Sequence, residues 1–294
     1  MKAFPVGLSG GPIHVYDWGE LASPPLLYWD GLGGCGLHAN ELAPVLVHEY
    51  GLRVISPDPP GHGESAALPV DSYRPSALAD VAAELLSELG VDRAVFVGFS
   101  WGARVGCSFA ARFPERTAGL VLIDGGYVDP GDVGADLTAE LATCVADARQ
   151  EIEEDSFASW DAYFAFEREA LKRWTTALEA AHQAAMREAE GRVVPILEPE
   201  TLGAIKYGGR REPVTDTYPL VAAAGVPVLL LTAPELEVPE VAERGVVRFR
   251  AALPEARVES VLDGIHDLVS YAPARVADLI GEFFADSAAG QPPP

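Results

Sequence analysis

The sequence predicts an α/β domain: a mostly parallel, twisted sheet with helices on both faces, interrupted by a helical insertion. Three observations predict it. Short, near-continuous apolar runs such as "RAVFV" and "GLVLI" read as strands buried on both sides. Stretches of helical periodicity stand between them, as a parallel sheet requires. The alternation stops near Tyr127 and resumes after Glu212, and Trp160, Phe164, Leu171, Trp174 and Leu178 mark long amphipathic helices in the gap.

Each element follows in order. Residues Ala3 to Trp18 alternate around "LSGGP", a β-hairpin with a glycine turn. "PPLLYW" is a short strand running into the glycines of "DGLGG". "ELAPVLVHEY" reads as a helix stopped at Gly51, and "LRVISPDPPGHGES" as a strand entering a rigid loop. Leu78, Val81, Ala82, Leu85, Leu86 and Leu89 recur at helical spacing up to Gly90. "RAVFVGF", "GARVGCSFAARF" and "AGLVLID" then read strand, helix, strand. After the insertion come "GVPVLLLT" (strand), "PEVAERGVVRFRAAL" (helix), "ARVESVL" (strand) and "APARVADLIGEFF" (helix). The predicted division is a core of residues 1–126 and 213–286, a helical cap at 127–212 and a disordered tail at 287–294.

Bulk properties exclude more than they assign. The 294 residues suit one large domain or one domain with an insertion. No apolar run is long enough for a membrane span, and the N-terminus does not read as a secretory signal. The expectation is a cytoplasmic protein. A net charge of −23 opposes nucleic acid and anionic lipid surfaces as partners. Cys35, Cys107 and Cys144 are scattered and lack CxxC spacing, so neither a disulfide framework nor a zinc site is expected. No metal cluster or phosphate-binding glycine loop is legible, and no cofactor is expected. The expected partner is a small-molecule substrate; a homodimer stays open.

The sharpest motif is Gly98-Phe99-Ser100-Trp101-Gly102, which fits G-x-S-x-G. Its context gives it weight: it closes a strand and opens a helix. Such a turn strains the serine backbone, and small residues at 98 and 102 allow the neighbouring elements to approach. It also sets Ser100 at a helix N-terminus, where free N–H groups favour developing negative charge.

With this motif the chain resembles the α/β-hydrolase superfamily, in its serine-hydrolase branch with a helical cap. The resemblance covers nearly the whole chain. "LLYWDGLGG" stands where that family has its HG-type oxyanion loop. "PDPPGHGES" is similar to its D-x-P-G-x-G-x-S loop, which implies a structural position near the site for His62. "VFVGFSWGA" is similar to its nucleophile elbow, and "GIHDLVSYAP" to its histidine loop. A serine at position 100 argues against the dehalogenase and epoxide hydrolase branches, which place an aspartate there.

A serine hydroxyl needs a base, and imidazole suits that task at neutral pH. Among the six histidines, only His266 follows the last strand, on a loop at the C-terminal edge of the sheet where such sites form. It is the predicted base. An attacked acyl carbon becomes an oxyanion and needs preorganised donors. One is the N–H of Trp101, next after the nucleophile; by resemblance the other is the N–H of Leu32, served by the flexibility of Gly31. The sequence departs from the family at Asp30, where a histidine is usual. A carboxylate there opposes an oxyanion unless it is turned away or paired.

Two carboxylates compete to orient His266. The commoner family position follows "VPVLLLT", but "APELEVPE" offers no aspartate, and Glu235 is the best substitute. The other is Asp124, closing "GLVLID", where some branches of the superfamily carry the acid. A short aspartate at a strand end is held more rigidly, so Asp124 is preferred and Glu235 kept as the alternative. Trp101 and Gly31 are the expected substrate contacts, and Trp160, Tyr163, Phe164 and Trp174 are candidates for an apolar pocket under the cap. The expected activity is hydrolysis of a small, largely apolar ester or lactone through an acyl-enzyme on Ser100. The alternatives are C–C bond hydrolysis, acyl transfer or lyase chemistry on the same triad, and a non-catalytic ligand-binding relative.

Overall fold

The computed structural model describes residues 1–234, 239–261 and 264–289. In chain order the first elements are β1 (Lys2–Leu8), β2 (Gly11–Trp18), β3 (Pro25–Trp29), α1 (Leu42–Tyr50), β4 (Arg53–Pro57) and α2 (Pro75–Glu88). Then come β5 (Ala94–Phe99), α3 (Trp101–Arg112) and β6 (Thr117–Ile123). These strands join β9 (Val228–Thr232) and β10 (Arg257–Ser260) in an eight-stranded sheet of order β1-β2-β4-β3-β5-β6-β9-β10. The β1–β2 and β2–β4 pairs are antiparallel, and the rest of the sheet is parallel.

The central strands show why the runs are continuously apolar. Leu27, Phe96, Leu120, Leu122 and Leu230 enter one buried cluster. Their neighbours Leu26, Val95, Val97, Val121, Leu229 and Leu231 enter another. Alternate side chains point to opposite faces, and both faces are covered. Helices α2 and α3 lie on the first face, with α8 (Tyr218–Ala224) and α9 (Pro239–Ala252). Helix α1 and the last helix, α11 (Pro273–Ala289), lie on the second. Truncating a fully buried side chain such as Phe96 to alanine would cost about 3–5 kcal/mol.

Between β6 and β9 stand α4 (Leu141–Glu154), α5 (Trp160–Leu171), α6 (Thr176–Ala185) and α7 (Pro199–Arg211). The insertion is not purely helical. β7 (Met186–Ala189) and β8 (Arg192–Pro195) pair as an antiparallel hairpin within it. Four-residue strands carrying Arg and Glu give too little alternation to read as strands. Of the predicted tail, residues 287–289 are the end of α11, and residues 290–294 lie outside the described residues. Arg173 ties the insertion to the core: its guanidinium donates to both oxygens of Glu41, each at 2.8 Å, and to the carbonyl of Ser270. Ser270 belongs to α10 (Leu268–Tyr271), the turn that follows His266. Among the described residues no helix is long and apolar enough to cross a membrane.

Candidate active site

Ser100 is the residue on which β5 turns into α3. Its backbone is left-handed in φ (50°), a conformation that costs a non-glycine residue on the order of 1–3 kcal/mol. The surroundings enforce it. Its N–H donates to the carbonyl of Ile123 at 2.8 Å, and its carbonyl accepts from Ala103 N–H at 3.1 Å. A Cβ at Gly98 would strike the backbone of Gly102 and Ala103, and one at Gly102 would strike the carbonyls of Trp29 and Asp30. Only glycine lets α3 start this close to β3 and β5. This close approach is what the glycines of G-x-S-x-G provide.

His266 and Asp124 meet Ser100 from two other segments. The Ser100 hydroxyl lies 2.8 Å from His266 Nε2, and His266 Nδ1 lies 2.7 Å from Asp124 Oδ2. An Nδ1–H donating to the carboxylate makes Nε2 the acceptor that faces the serine hydroxyl. Asp124 follows β6 and is buried, whereas the His266 side chain is 54% exposed. The buried carboxylate is well supplied with donors: Tyr127 O–H at 2.8 Å and Ala233 N–H at 3.1 Å both reach Oδ1. Of the two sequence candidates for the acid, Asp124 is thus at His266, while Glu235 lies outside the described residues.

Gly31 and Leu32 stand beside Ser100. A Cβ at Gly31 would come within 3.4 Å of Ser100 Cβ. Trp101 is buried, stacked on His62 with ring centroids 5.6 Å apart. Burial pulls the His62 imidazole down to about 4, so it packs as a neutral ring. Asp30 is fully buried and paired: Oδ1 accepts from Tyr28 O–H at 2.7 Å, and Oδ2 lies 2.6 Å from His38 Nδ1.

Two cavities open from Ser100 and His266. One, of about 390 Å³, is lined by Gly31, Leu32, Tyr163, Glu167, His182 and Asp267, among others. The other, of about 740 Å³, is lined by Trp101, Arg104, Tyr127, Val128, Val241 and Ala242, among others. Of the four aromatics expected over the site, Tyr163 alone lines either cavity; Phe164 packs on Trp160 and Trp174. The smaller cavity is rich in titratable groups. Burial, reinforced by Asp267, raises Glu167 to about 7. Burial, reinforced by the charge of His38, lowers His182 to about 3. His38, His182 and Glu167 were not foreseen as cavity residues. They come from a turn and two insertion helices, and no spacing in the sequence joins them. Among the described residues no group of three or more His, Cys, Asp or Glu is placed to hold a metal ion.

A mostly parallel sheet, a strained serine turn and a Ser–His–Asp chain of contacts beyond the C-terminal edge of its strands define a nucleophile-elbow architecture. The chain belongs to the alpha/beta hydrolase fold family, whose profile matches residues 24–195. Over 133 residues it is 34% identical to a 2-hydroxy-6-oxo-6-phenylhexa-2,4-dienoate hydrolase of Burkholderia cepacia, covering 45% of this chain and 44% of the relative. The chain thus aligns with less than half the length of that curated relative. Among solved structures, an E-2-(acetamidomethylene)succinate hydrolase superposes with a TM-score of 0.77 at 20% identity, covering 97% of this chain and 99% of the other. An N-acyl homoserine lactonase complexed with N-butanoyl homoserine superposes with a TM-score of 0.71 at 23% identity, covering 100% of both. At these identities the likeness shows the fold.

Proposed function

We propose that the protein is a serine hydrolase that cleaves a small, largely apolar carboxylic ester or lactone through an acyl-enzyme on Ser100. One observation carries this reading: the continuous contact Ser100–His266–Asp124, at 2.8 and 2.7 Å, opening on two cavities. Ser100 Oγ bonds to the carbonyl carbon while its proton passes to His266 Nε2. The N–H groups of Trp101 and Leu32 hold the oxyanion, each worth about 3 kcal/mol of transition-state stabilisation. Collapse breaks the C–O bond, and the leaving alkoxide takes the proton from His266. Water, deprotonated by His266, then frees the acid and restores the serine. Asp124 fixes the imidazole tautomer and stabilises the imidazolium. The insertion serves as a cap, with Tyr163, Glu167 and His182 over one cavity.

A second reading is hydrolysis of a carbon–carbon bond beside a ketone. The Burkholderia cepacia relative favours it, because a substrate named as a keto acid has no ester to cleave. Glu167 and Asp267 in the smaller cavity weigh against a carboxylate there. The test is a panel of neutral esters, lactones and a 6-oxo-dienoate, with Ser100→Ala as blank and fluorophosphonate labelling of Ser100. Labelling with ester or lactone turnover supports the first reading. Labelling with turnover of the keto acid alone replaces it with the second. An unlabelled Ser100 in folded protein overturns both.

A further inference from the structure

The oxyanion loop carries a second Asp–His pair, again with a buried carboxylate, that the proposed reaction does not use directly. Asp30 closes β3, and Gly31-Leu32-Gly33-Gly34 turns back over it, with Gly34 N–H donating to the Gly31 carbonyl at 3.3 Å. A Cβ at Gly34 would press on the Asp30 carboxylate and on His38 Nδ1, so the turn lies directly on the pair. The element bearing His38 is itself anchored. It is a 3₁₀ turn, Gly36–Asn40, whose first N–H donates to Asp58 Oδ1 at 2.8 Å and whose first carbonyl accepts from Ser56 O–H at 2.8 Å.

We propose that the Asp30–His38 ion pair is a positioning device for the oxyanion hole: it fixes the turn that presents Leu32 N–H, and His38 cancels the charge of a carboxylate that would otherwise oppose the oxyanion. This rests on the serine-hydrolase reading. The groups facing His38 are consistent with a charged imidazole. Burial pulls it down, but Asp30 overrides this, with Asp267 of the α10 cap and Glu167 of α5 adding, so it rises to about 9. His182 of α6 is 5.5 Å away, ring to ring, and neutral; Tyr163 O–H reaches its Nδ1 at 3.0 Å. The Cys35 thiol, just before the turn, is held well above its usual value by burial, then by Asp58 and Asp30, and adds no charge. His38 Nε2 is buried and has no hydrogen-bond partner among the described residues. Asp30 is therefore the counter-charge with which His38 makes direct contact.

The test is the second-order rate of fluorophosphonate labelling of Ser100 from pH 6 to 10, with thermal melts of each variant. His38→Gln keeps a hydrogen-bond donor and removes the charge. It is expected to slow labelling about tenfold, less than the roughly hundredfold that outright loss of an oxyanion donor costs, because Leu32 N–H is displaced and not removed. Adding Asp30→Asn should recover most of that loss, because a neutral pair replaces an unbalanced charge. Wild type should lose rate above about pH 9, where His38 gives up its proton. Asp30→Asn alone should lose that alkaline decline, and it serves where His38→Gln does not fold. Additive losses in the double variant, or the same alkaline decline without Asp30, overturn the inference alone. An unlabelled wild type overturns it together with the serine-hydrolase reading.

Discussion

Two regions flank β5, the strand that leads into Ser100, with the same unit. β3 and β6 are the two neighbours of β5, and each is followed directly by a buried aspartate. Each aspartate takes a tyrosine hydroxyl on Oδ1 and a histidine Nδ1 on Oδ2: Tyr127 and His266 for Asp124, Tyr28 and His38 for Asp30. The histidines differ. The His266 side chain is 54% exposed and turns Nε2 to Ser100, whereas that of His38 is 13% exposed with Nε2 buried. Under the proposed function the Asp–His unit passes a proton where its imidazole meets Ser100, and under the further inference it only shapes the field where the imidazole does not. Which role an Asp–His pair takes is set by what the second ring nitrogen reaches.

The comparison breaks most sharply at Ser100. Ser100→Ala should lower ester turnover by about 10⁴-fold or more, measured against the uncatalysed rate. Asp124→Asn should cost about 10⁴-fold in kcat, because His266 then holds the wrong tautomer. Asp30→Asn should cost no more than about tenfold at neutral pH, since it changes a field and no proton transfer. Equal losses at the two aspartates would end the distinction between them. At the small end, Glu235→Gln should change kcat/KM by less than about threefold, and a large loss would return the acid's role to that loop.

Stability against pH sharpens the same contrast. The folded-state value of His38, about 9, lies above its ordinary 6.5, so its contribution is full below pH 6.5 and is lost as pH rises through 9. Glu167, raised to about 7, adds a loss over the range from pH 4.5 to 7. His182 and His62 run the other way. Lowered to about 3 and about 4, they are bound by protons first in the unfolded chain, and stability falls as pH drops below 6.5. Calorimetry from pH 4 to 10 should show Tm declining on both sides. Asp30→Asn should flatten the alkaline side.

The fold was legible because a parallel sheet writes itself as apolar runs between periodic helices. Ser100 was legible because its turn needs glycines at fixed places, and His266 because the sheet's edge leaves one histidine in position. The choice between Asp124 and Glu235 was not. Both follow a strand, and nothing in the sequence gives the 2.7 Å that sets Asp124 against His266; Glu235 lies outside the described residues. The role of Asp30 was half legible: as a departure it demanded a partner, but nothing in the spacing pointed to His38, eight residues on across an irregular loop. The β7–β8 hairpin was hidden for another reason. Its pairing joins segments of four residues, MREA and RVVP, too short and too irregular to show an alternating pattern.

The Arg173 clamp bears on how such a scaffold can be rebuilt. Its partners are a carboxylate at the start of α1 and a carbonyl just past the histidine loop, both core groups, while the arginine belongs to the insertion. A chimera that transplants another insertion onto this core strands Glu41 without its cation and leaves the Ser270 carbonyl short of a donor. The graft is therefore expected to loosen the backbone beside His266 even when Ser100, Asp124 and His266 are all native. Carrying Arg173 across with the foreign segment is the smallest repair, and residues 41, 173 and 270 mark the seam along which the two modules can be exchanged.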